Sequence, residues 1–298
     1  MLWIPCTVIA AAAQTARNAM QRGLTGSLGT LGATQVRFLY GLPFALVFLA
    51  ITAGATDSAV PEPGWQFLVF TAAGGVAQIL ATALLLAAMR RGSFSVATAL
   101  SKTEAVQIAV FGLVILGDIL TPLRSAAIVI ATLGVALTAM KPGERWTAVS
   151  LRPALLGVAA GGCFALAAVG FRGGILALGD GAYWMRATTT LAWSLGIQSL
   201  LLGSWMALFA RAALLQSFRL WRPSLLAGFL GAFASQFWFL GFSLTAAANV
   251  RTLGLVEVLF AQAVGMHVMR QKVSRRELLG MALIVAGVGL LLAIDWRA

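Results

Sequence analysis

The sequence predicts an all-α integral membrane protein whose ten transmembrane helices form two inverted five-helix repeats. Three observations predict this fold class: an apolar composition, ten long apolar windows, and a resemblance between the two halves. Of the 298 residues, 60% are hydrophobic and only 10% are charged. So few polar side chains cannot cover a soluble protein of this length. Most of the surface is therefore expected to face lipid.

Ten windows are long and apolar enough for spanning helices of ~20 residues, which satisfy their backbone hydrogen bonds internally. They run approximately over 3–21, 30–53, 64–88, 94–116, 121–140, 153–175, 181–209, 223–243, 248–269 and 274–294. The breaks combine charge with helix starters or breakers, as in Arg90-Arg91-Gly92 and Lys141-Pro142-Gly143. Because these connections are short, consecutive helices are expected to be antiparallel neighbours.

The two halves, residues 1–145 and 146–298, resemble each other. A shift of 153 positions relates several residues of the two halves: Glu104 and Glu257, Thr121 and Ser274, Gly134 and Gly287. Slightly different offsets relate Arg37 to Arg186 and Gln78 to Gln236. Five spans per repeat is an odd number, so the second repeat enters the membrane from the opposite side. In such inverted repeats the substrate site lies near the midplane, where the repeats meet.

Short motifs in both halves resemble the EamA family of the drug/metabolite transporter superfamily. The first copy reads Ala99-Leu-Ser-Lys-Thr-Glu-Ala105, then Leu116-Gly-Asp118 and a helix with Gly134-Val-Ala-Leu. The second reads Gly254-Leu-Val-Glu257, then Val273-Ser-Arg-Arg-Glu277 and Ile284-Val-Ala-Gly-Val-Gly289. This resemblance implies a ten-helix carrier, usually an exporter of amino acids or other small metabolites. It also implies a central cavity lined mainly by spans 1, 3, 4, 6, 8 and 9. The acidic residue after the fourth span is kept as Asp118, but Arg270-Gln271 replaces its second copy.

Two glutamates, Glu104 and Glu257, lie about ten residues into their spans and hence near the membrane midplane. A charge there costs ~2.5–3.5 kcal/mol even on a lenient scale, so it normally faces a cavity or a partner. Either glutamate could couple transport to protons or hold a cationic group of the substrate. Alternatively, both are paired structural carboxylates that fix helix packing.

Other polar residues inside the fourth and first spans are also candidates for substrate binding. Lys102 lies two positions from Glu104, on a different face, and is expected to partner another carboxylate or contact substrate. Gln107 lies one turn beyond Glu104 and shares its face. Gln14 and Asn18 form a polar stripe that favours a cavity lining, while the neighbouring Arg17 could snorkel or bridge to Glu104 or Glu257.

The amides Gln78 and Gln236 occupy repeat-related positions on spans 3 and 8, and Trp238 lies in an aromatic run. Hydrogen bonds and stacking from these three side chains could hold a substrate. Packing contacts between helices are the alternative for the glutamines, and a lipid-facing or core position is the alternative for Trp238. Arg37 and Arg186 lie near span starts and are interpreted as interfacial anchors. The same role is expected for the tryptophans at predicted span ends: Trp3, Trp65, Trp146, Trp221 and Trp296.

The sequence predicts no metal, no cofactor and no catalytic site. His267, the only histidine, has no second histidine or cysteine at ligand spacing. Cys6 and Cys163 lie in apolar segments and predict neither a disulfide nor a redox motif. No GxxxxGK[ST] loop is present, which argues against ATP-driven transport by this chain. The net charge of +12 is spread singly or in pairs, so no nucleic-acid partner is expected.

The distribution of basic residues and the family resemblance give opposite orientations in the membrane. Thirteen Lys and Arg residues fall in the odd-numbered loops and four in the termini and even-numbered loops: Arg124, Arg172, Arg251 and Arg297. The positive-inside rule then places both termini outside, whereas the resemblance implies that they lie inside. The orientation therefore stays open.

Taken together, these features predict a secondary transporter in the inner cell membrane, expected to export a small polar or zwitterionic metabolite such as an amino acid by alternating access. Protons are a candidate coupling ion. The alternatives are a passive facilitator or exchanger of small metabolites and a membrane scaffold that transports nothing. An enzyme is not expected, since a site acting on lipid would need converging acidic or histidine residues at the interface.

Overall fold

A computed structural model describes residues 1–91, 100–139, 151–267 and 274–297, and all regular structure in these ranges is helical. The α-helices are α1 Trp3–Leu39, α2 Gly41–Thr56, α3 Trp65–Arg91, α4 Glu104–Phe111, α5 Pro122–Ala139, α6 Leu151–Ala177, α7 Tyr183–Phe209, α8 Arg211–Arg219, α9 Trp221–Leu244, α10 Ala247–Leu253, α11 Glu257–His267 and α12 Arg275–Arg297. A π-helical turn, Gly112–Leu116, follows α4, and a 3-10 turn, Gly254–Val256, joins α10 to α11.

Among the described residues, six helical segments are long and apolar enough to cross a bilayer: Leu31–Thr56, Trp65–Leu85, Ala154–Ala177, Tyr183–Phe209, Trp221–Leu244 and Arg275–Ile294. The shorter segments Glu104–Leu116 and Pro122–Thr138 are also apolar. The protein is therefore a multi-pass membrane protein. Every one of the ten windows contains helix, but the prediction of ten spans in an inverted repeat goes beyond these observations and stays a prediction.

A glycine separates the first two predicted spans. Gly29 has φ 62° and ψ −178° inside α1, a conformation that is strained for residues with a side chain. The chain resumes as helix and continues through a turn at Tyr40 into α2. The second predicted span is thus built from the end of α1 together with α2.

Three local features were not predicted. The short helix α8 occupies the gap between the seventh and eighth windows. The fourth window contains a turn at Lys102–Thr103 and a π-helical turn. The ninth window contains a 3-10 turn. Apolar periodicity does not reveal such interruptions, because they change the hydrogen-bond pattern and leave composition unaltered.

The chain divides into two compact units, each with segments from both halves of the sequence. Unit 1 comprises Met1–Ile79 and Gly170–Thr245, and unit 2 comprises Leu80–Val169 and Ala246–Ala298. The predicted repeats, residues 1–145 and 146–298, are defined by sequence similarity and do not coincide with these spatial units. That the chain is built from two such repeats stays a prediction.

Unit 1 is held together by α1 packed along α9, and by α7 packed on α2 and α9. Backbones approach closely at Gly228, where an added Cβ would lie 2.6 Å from the Cβ of Tyr40. Small residues allow such contacts in membranes, where helix association depends on close packing. Trp3 is only 5% exposed, so its ring packs inside the protein and does not face lipid headgroups as the sequence predicted.

Unit 2 contains an antiparallel pair of helices, α5 and α12, in which each helix makes the same contacts with its partner as the partner makes with it. A Cβ on Gly134 of α5 would lie 2.6 Å from the Gly280 oxygen and 2.7 Å from the Ile284 nitrogen of α12. A Cβ on Gly287 of α12 would lie 2.6 Å from the nitrogen of Ala131 and 2.7 Å from the oxygen of Ala127 on α5. The shift of 153 positions converts one set of contacts into the other. This helix pair therefore has local two-fold symmetry.

Candidate functional site

Four charged side chains form two ion pairs inside unit 2. Glu104 is the first residue of α4 and Glu257 is the first residue of α11. The two glutamates are 7% and 8% exposed. Carboxylates so well buried in a membrane protein need a compensating charge, because their transfer out of water is costly.

Arg251 supplies that charge to Glu104. Its Nε donates to Oε1 of Glu104 at 2.7 Å, and its Nη2 donates to the same oxygen. Two charge-assisted hydrogen bonds to one carboxylate oxygen fix the guanidinium relative to the start of α4. The sequence interpretation counted Arg251 with the loop charges, which was wrong: it lies within α10. The short connection after α9 allows helix to begin again at Ala247, before the arginine.

Lys102 forms the second ion pair, between its Nζ and Oε1 of Glu257. Of the two expectations for Lys102, the structure therefore supports pairing with a carboxylate elsewhere in the chain. The side chains of Lys102 and Arg251 are 22% and 20% exposed, whereas those of Glu257 and Glu104 are 11% and 9% exposed. The basic side chains as a whole thus remain more accessible than the acidic side chains they neutralise.

Each ion pair joins a residue of the first half of the sequence to a residue of the second half. Glu104 and Lys102 come from the first half, and their partners Arg251 and Glu257 come from the second. The glutamates are related by the shift of 153 positions, but the same shift relates Lys102 to Leu255. The acids are therefore repeated and the bases are not. This makes the two pairs chemically different, one with a guanidinium and one with an ammonium group.

Each glutamate follows an interruption of regular α-helix. The 3-10 turn Gly254–Val256 directly precedes Glu257. Before Glu104, the nitrogens of Thr103 and Ala105 donate three residues back, to Leu100 and Lys102. Non-α backbone at membrane depth is tolerated where protein or a water-filled cavity surrounds it, and broken helices are common at transporter binding sites. The repeat-related interruptions thus mark a candidate site at Glu104 and Glu257.

Gln107 connects α4 to α6 beside this cluster. Its Nε2 donates to Oγ1 of Thr103 at 2.9 Å and to the carbonyl of Val158 at 3.3 Å. The side chain fits against two glycines of α6, since a Cβ on Gly162 would lie 2.7 Å from its Oε1. Gln107 therefore positions α4 against α6, and its predicted contact with substrate stays a proposal.

The remaining candidates form hydrogen bonds between helices of unit 1. The indole Nε1 of Trp238 donates to Oε1 of Gln14 at 3.0 Å. Gln236 donates to Oγ1 of Thr188 at 2.7 Å, and Gln198 donates to Oε1 of Gln78 at 2.6 Å. These bonds fit the packing interpretation of both glutamines. Trp238 is 5% exposed and hence a core residue.

Asn18 lies in α1, but its side chain is outside the described residues. Arg17 is 7% exposed, so it is a protein-buried residue of unit 1 and not a snorkelling one. Arg37 and Arg186 are partly exposed, and Arg186 donates to the carbonyl of Gly179 at 2.9 Å. His267 ends α11, and its side chain and Trp146 also lie outside the described residues.

Arg172 was also misplaced by the sequence interpretation, which counted it as a loop charge. It lies within α6, and its Nη1 donates to the carbonyls of Phe242 at 2.8 Å and of Thr245. These carbonyls lie at the end of α9, where a cation satisfies free acceptors and complements the helix dipole.

Comparison with known proteins gives a family for the first half and a fold for the whole chain. A family model described as "EamA-like transporter family" matches residues 1–140. A solved structure described only as "Crystal structure of protein" has a TM-score of 0.74 and 15% sequence identity, and the match covers 98% of each chain. At this identity the likeness shows a shared fold alone. No curated protein matches the sequence. Together with the apolar helices, this match identifies the chain as a multi-pass membrane protein whose residues 1–140 are similar to the EamA-like transporter family.

Proposed function

We propose that this protein is a secondary transporter of the inner membrane that exports a small zwitterionic metabolite, such as an amino acid, by alternating access. The observation that carries the proposal is the pair of buried, crossed ion pairs formed by Glu104 with Arg251 and Lys102 with Glu257. The match of residues 1–140 to the EamA-like transporter family supports the transporter class. The crossed pairs support the substrate chemistry.

A zwitterion matches these ion pairs because it carries the same two charges. Its carboxylate would replace Glu104 at the guanidinium of Arg251, whose planar donors suit carboxylates. Its ammonium group would be held by the carboxylate of Glu104 that is released, while Lys102 and Glu257 remain paired. Every buried charge then keeps a partner in both the empty and the loaded protein. The alternative, an uncompensated buried charge, would cost several kcal/mol.

The symmetry of α5 and α12 supports alternating access. The contacts at Gly134 and those at Gly287 are equivalent under the shift of 153 positions, as expected for two inverted halves. An inverted pair can adopt two arrangements of similar energy that are related by a pseudo-two-fold rotation and open to opposite sides of the membrane. The cross-repeat ion pairs would then change strength as one arrangement converts to the other.

Glu104 and Glu257 are the candidate proton carriers. Protonation of either glutamate removes a negative charge and leaves its basic partner available to an anionic group. Proton binding and substrate release would then compete at one position. Each acid is paired with a basic side chain of unit 2, so both acids remain candidates for this role.

Flux measurements in proteoliposomes test the proposal directly. Uptake of labelled amino acids should saturate, show counterflow, and respond to an imposed pH gradient. Glu104→Gln should reduce flux at least 10-fold, whereas Glu62→Gln, at an exposed loop carboxylate, should leave it unchanged. A thermal-shift screen against amino acids, sugars, nucleosides and organic cations would identify the substrate, because a ligand of the folded state stabilises it.

Two outcomes would replace this proposal. Saturable flux with counterflow, but without accumulation in a pH gradient, would indicate a passive facilitator or exchanger. A scaffold would show neither flux nor stabilisation by any solute in the screen. The buried ion pairs would then serve packing alone.

A further inference from the structure

A short helix joins two membrane spans in unit 1. Helix α8, Arg211–Arg219, follows the span Tyr183–Phe209 and precedes the span Trp221–Leu244. Its nine residues give a length of about 13 Å, which is far below the ~30 Å of a bilayer core. Since α8 connects the end of one span to the start of the next, it lies at a membrane face.

Three arginines are exposed on this segment: Arg211, Arg219 and Arg222. The guanidinium of Arg222 lies over the ring of Trp221, 5.4 Å from its centroid, and this cation–π contact orients it. No aspartate or glutamate occurs from residue 181 to residue 256. The chain around α8 therefore supplies no acid to neutralise these arginines, and a complementary partner must be anionic.

Apolar side chains are exposed beside the arginines. Leu215 and Phe218 are each 50% exposed and Trp221 is 48% exposed. Exposed rings and leucines next to guanidinium groups are typical of segments that lie in the headgroup region with apolar groups inserted. A soluble anion would match the charges but would leave these apolar side chains in water.

The other side of α8 is fixed to α1. Ser217 is fully buried, and its carbonyl accepts a hydrogen bond of 3.1 Å from the hydroxyl of Tyr40. Gln216 donates to the carbonyl of Ser27 at 2.9 Å. These bonds hold α8 in one position on unit 1, so the backbone that carries its arginines does not need to be ordered when a ligand binds.

We propose that α8 and the start of α9 form a binding site for the headgroup of an anionic phospholipid, with Arg211, Arg219 and Arg222 as the phosphate-binding residues. Guanidinium groups bind phosphate oxygens through paired hydrogen bonds. Phe218 and Trp221 insert beside the acyl chains. The proposal is independent of the transported substrate and of the ion pairs in unit 2.

Lipid titration of the purified protein tests this site. Full-length protein in detergent receives phosphatidylglycerol, phosphatidylcholine or inorganic phosphate, and apparent affinity is read from thermal shift and native mass spectrometry. Phosphatidylglycerol should bind tightly, and each Arg→Gln substitution should weaken binding about 5-fold, so that the triple variant loses roughly 100-fold. Arg222→Lys keeps the charge but loses the paired donors, so it should weaken binding less than Arg222→Gln does. Arg275→Gln, at an exposed arginine of α12, is the matched control and should have no effect on this binding.

A photoactivatable phosphatidylglycerol on the wild-type protein gives a second readout that needs no variant. Its label should map to residues 211–222. Equal binding of phosphatidylcholine, unchanged affinity in a correctly folded triple variant, or labelling elsewhere would each overturn the proposal. Stabilisation by inorganic phosphate at the same concentration would show that the site takes free phosphate and not lipid.

Discussion

Arg251 and Glu104 lie 147 positions apart in the chain, yet two nitrogens of the arginine donate to one oxygen of the glutamate. This contact joins α10 to the start of α4, and hence the second half of the sequence to the first. It makes the pair the most direct target for mutation.

Removing Arg251 should destabilise the protein more than removing both partners. Arg251→Ala leaves Glu104 buried without its counterion, at a cost of about 3 kcal/mol, the lower end of the range for buried pairs because the arginine side chain is 20% exposed. Adding Glu104→Gln should recover at least half of this loss. Thermal unfolding in detergent measures both variants, with Arg275→Ala as an exposed control. A double variant less stable than Arg251→Ala would contradict the pairing.

Reversing the charges of Lys102 and Glu257 tests the second ion pair. Lys102→Glu and Glu257→Lys should each lower the midpoint of thermal unfolding, because each single change places two like charges together. The double reversal should restore much of that midpoint. Lys102→Glu with Glu104→Lys, at neighbouring residues that do not pair, should give no rescue. Rescue by this control and not by the true pair would contradict the assignment.

The symmetry of α5 and α12 predicts equal sensitivity at two distant glycines. Gly134→Ala and Gly287→Ala each place a Cβ within 2.6 Å of backbone on the facing helix, and we expect each to cost about 1–3 kcal/mol as the helices separate. Gly289→Ala, on the same helix but with no atom within 4 Å of the new Cβ, should be neutral or slightly stabilising. Thermal unfolding compares the three. A loss at Gly289→Ala as large as at Gly287→Ala would show that helix separation is not the cause.

Arg172→Ala should destabilise unit 1 by about 1–3 kcal/mol, because the carbonyls of Phe242 and Thr245 lose charged donors at the end of α9. Arg172→Lys keeps the charge but has a different donor geometry, so it should recover part of the loss. Arg186→Ala is the control, since it removes a bond that is exposed. Hydrogen exchange at residues 240–245 should rise in Arg172→Ala. Unchanged exchange there would contradict a capping role.

The sequence singled out Glu104 and Glu257 as candidate site residues and related them by a shift of 153 positions. Their depth in apolar windows and their shared spacing were visible without coordinates, because the membrane penalises isolated charges. The sequence could not identify the basic residues that neutralise these two glutamates. Arg251 lies close to a predicted span boundary. The sequence near such a boundary does not show whether a charged side chain faces a loop or pairs with another side chain.

The amide and indole residues show the same limit. Gln78, Gln236 and Trp238 were recognised as unusual in apolar helices, since each polar atom needs a partner in lipid. Their actual partners, Gln198, Thr188 and Gln14, follow from helix rotation and crossing, which apolar periodicity does not specify.

The sequence by itself determined that the protein is helical and spans a membrane several times, because hydrophobicity along the chain encodes both properties. The inverted repeat and the midplane depth of the acids stay predictions from spacing. Only the tertiary structure decided that the acids pair across the repeats, that Arg172 caps a helix, and that each compact unit mixes both halves. The physical reason is that these ion pairs and helix contacts form between residues 70 or more positions apart, where the order of residues along the chain no longer constrains which side chains meet.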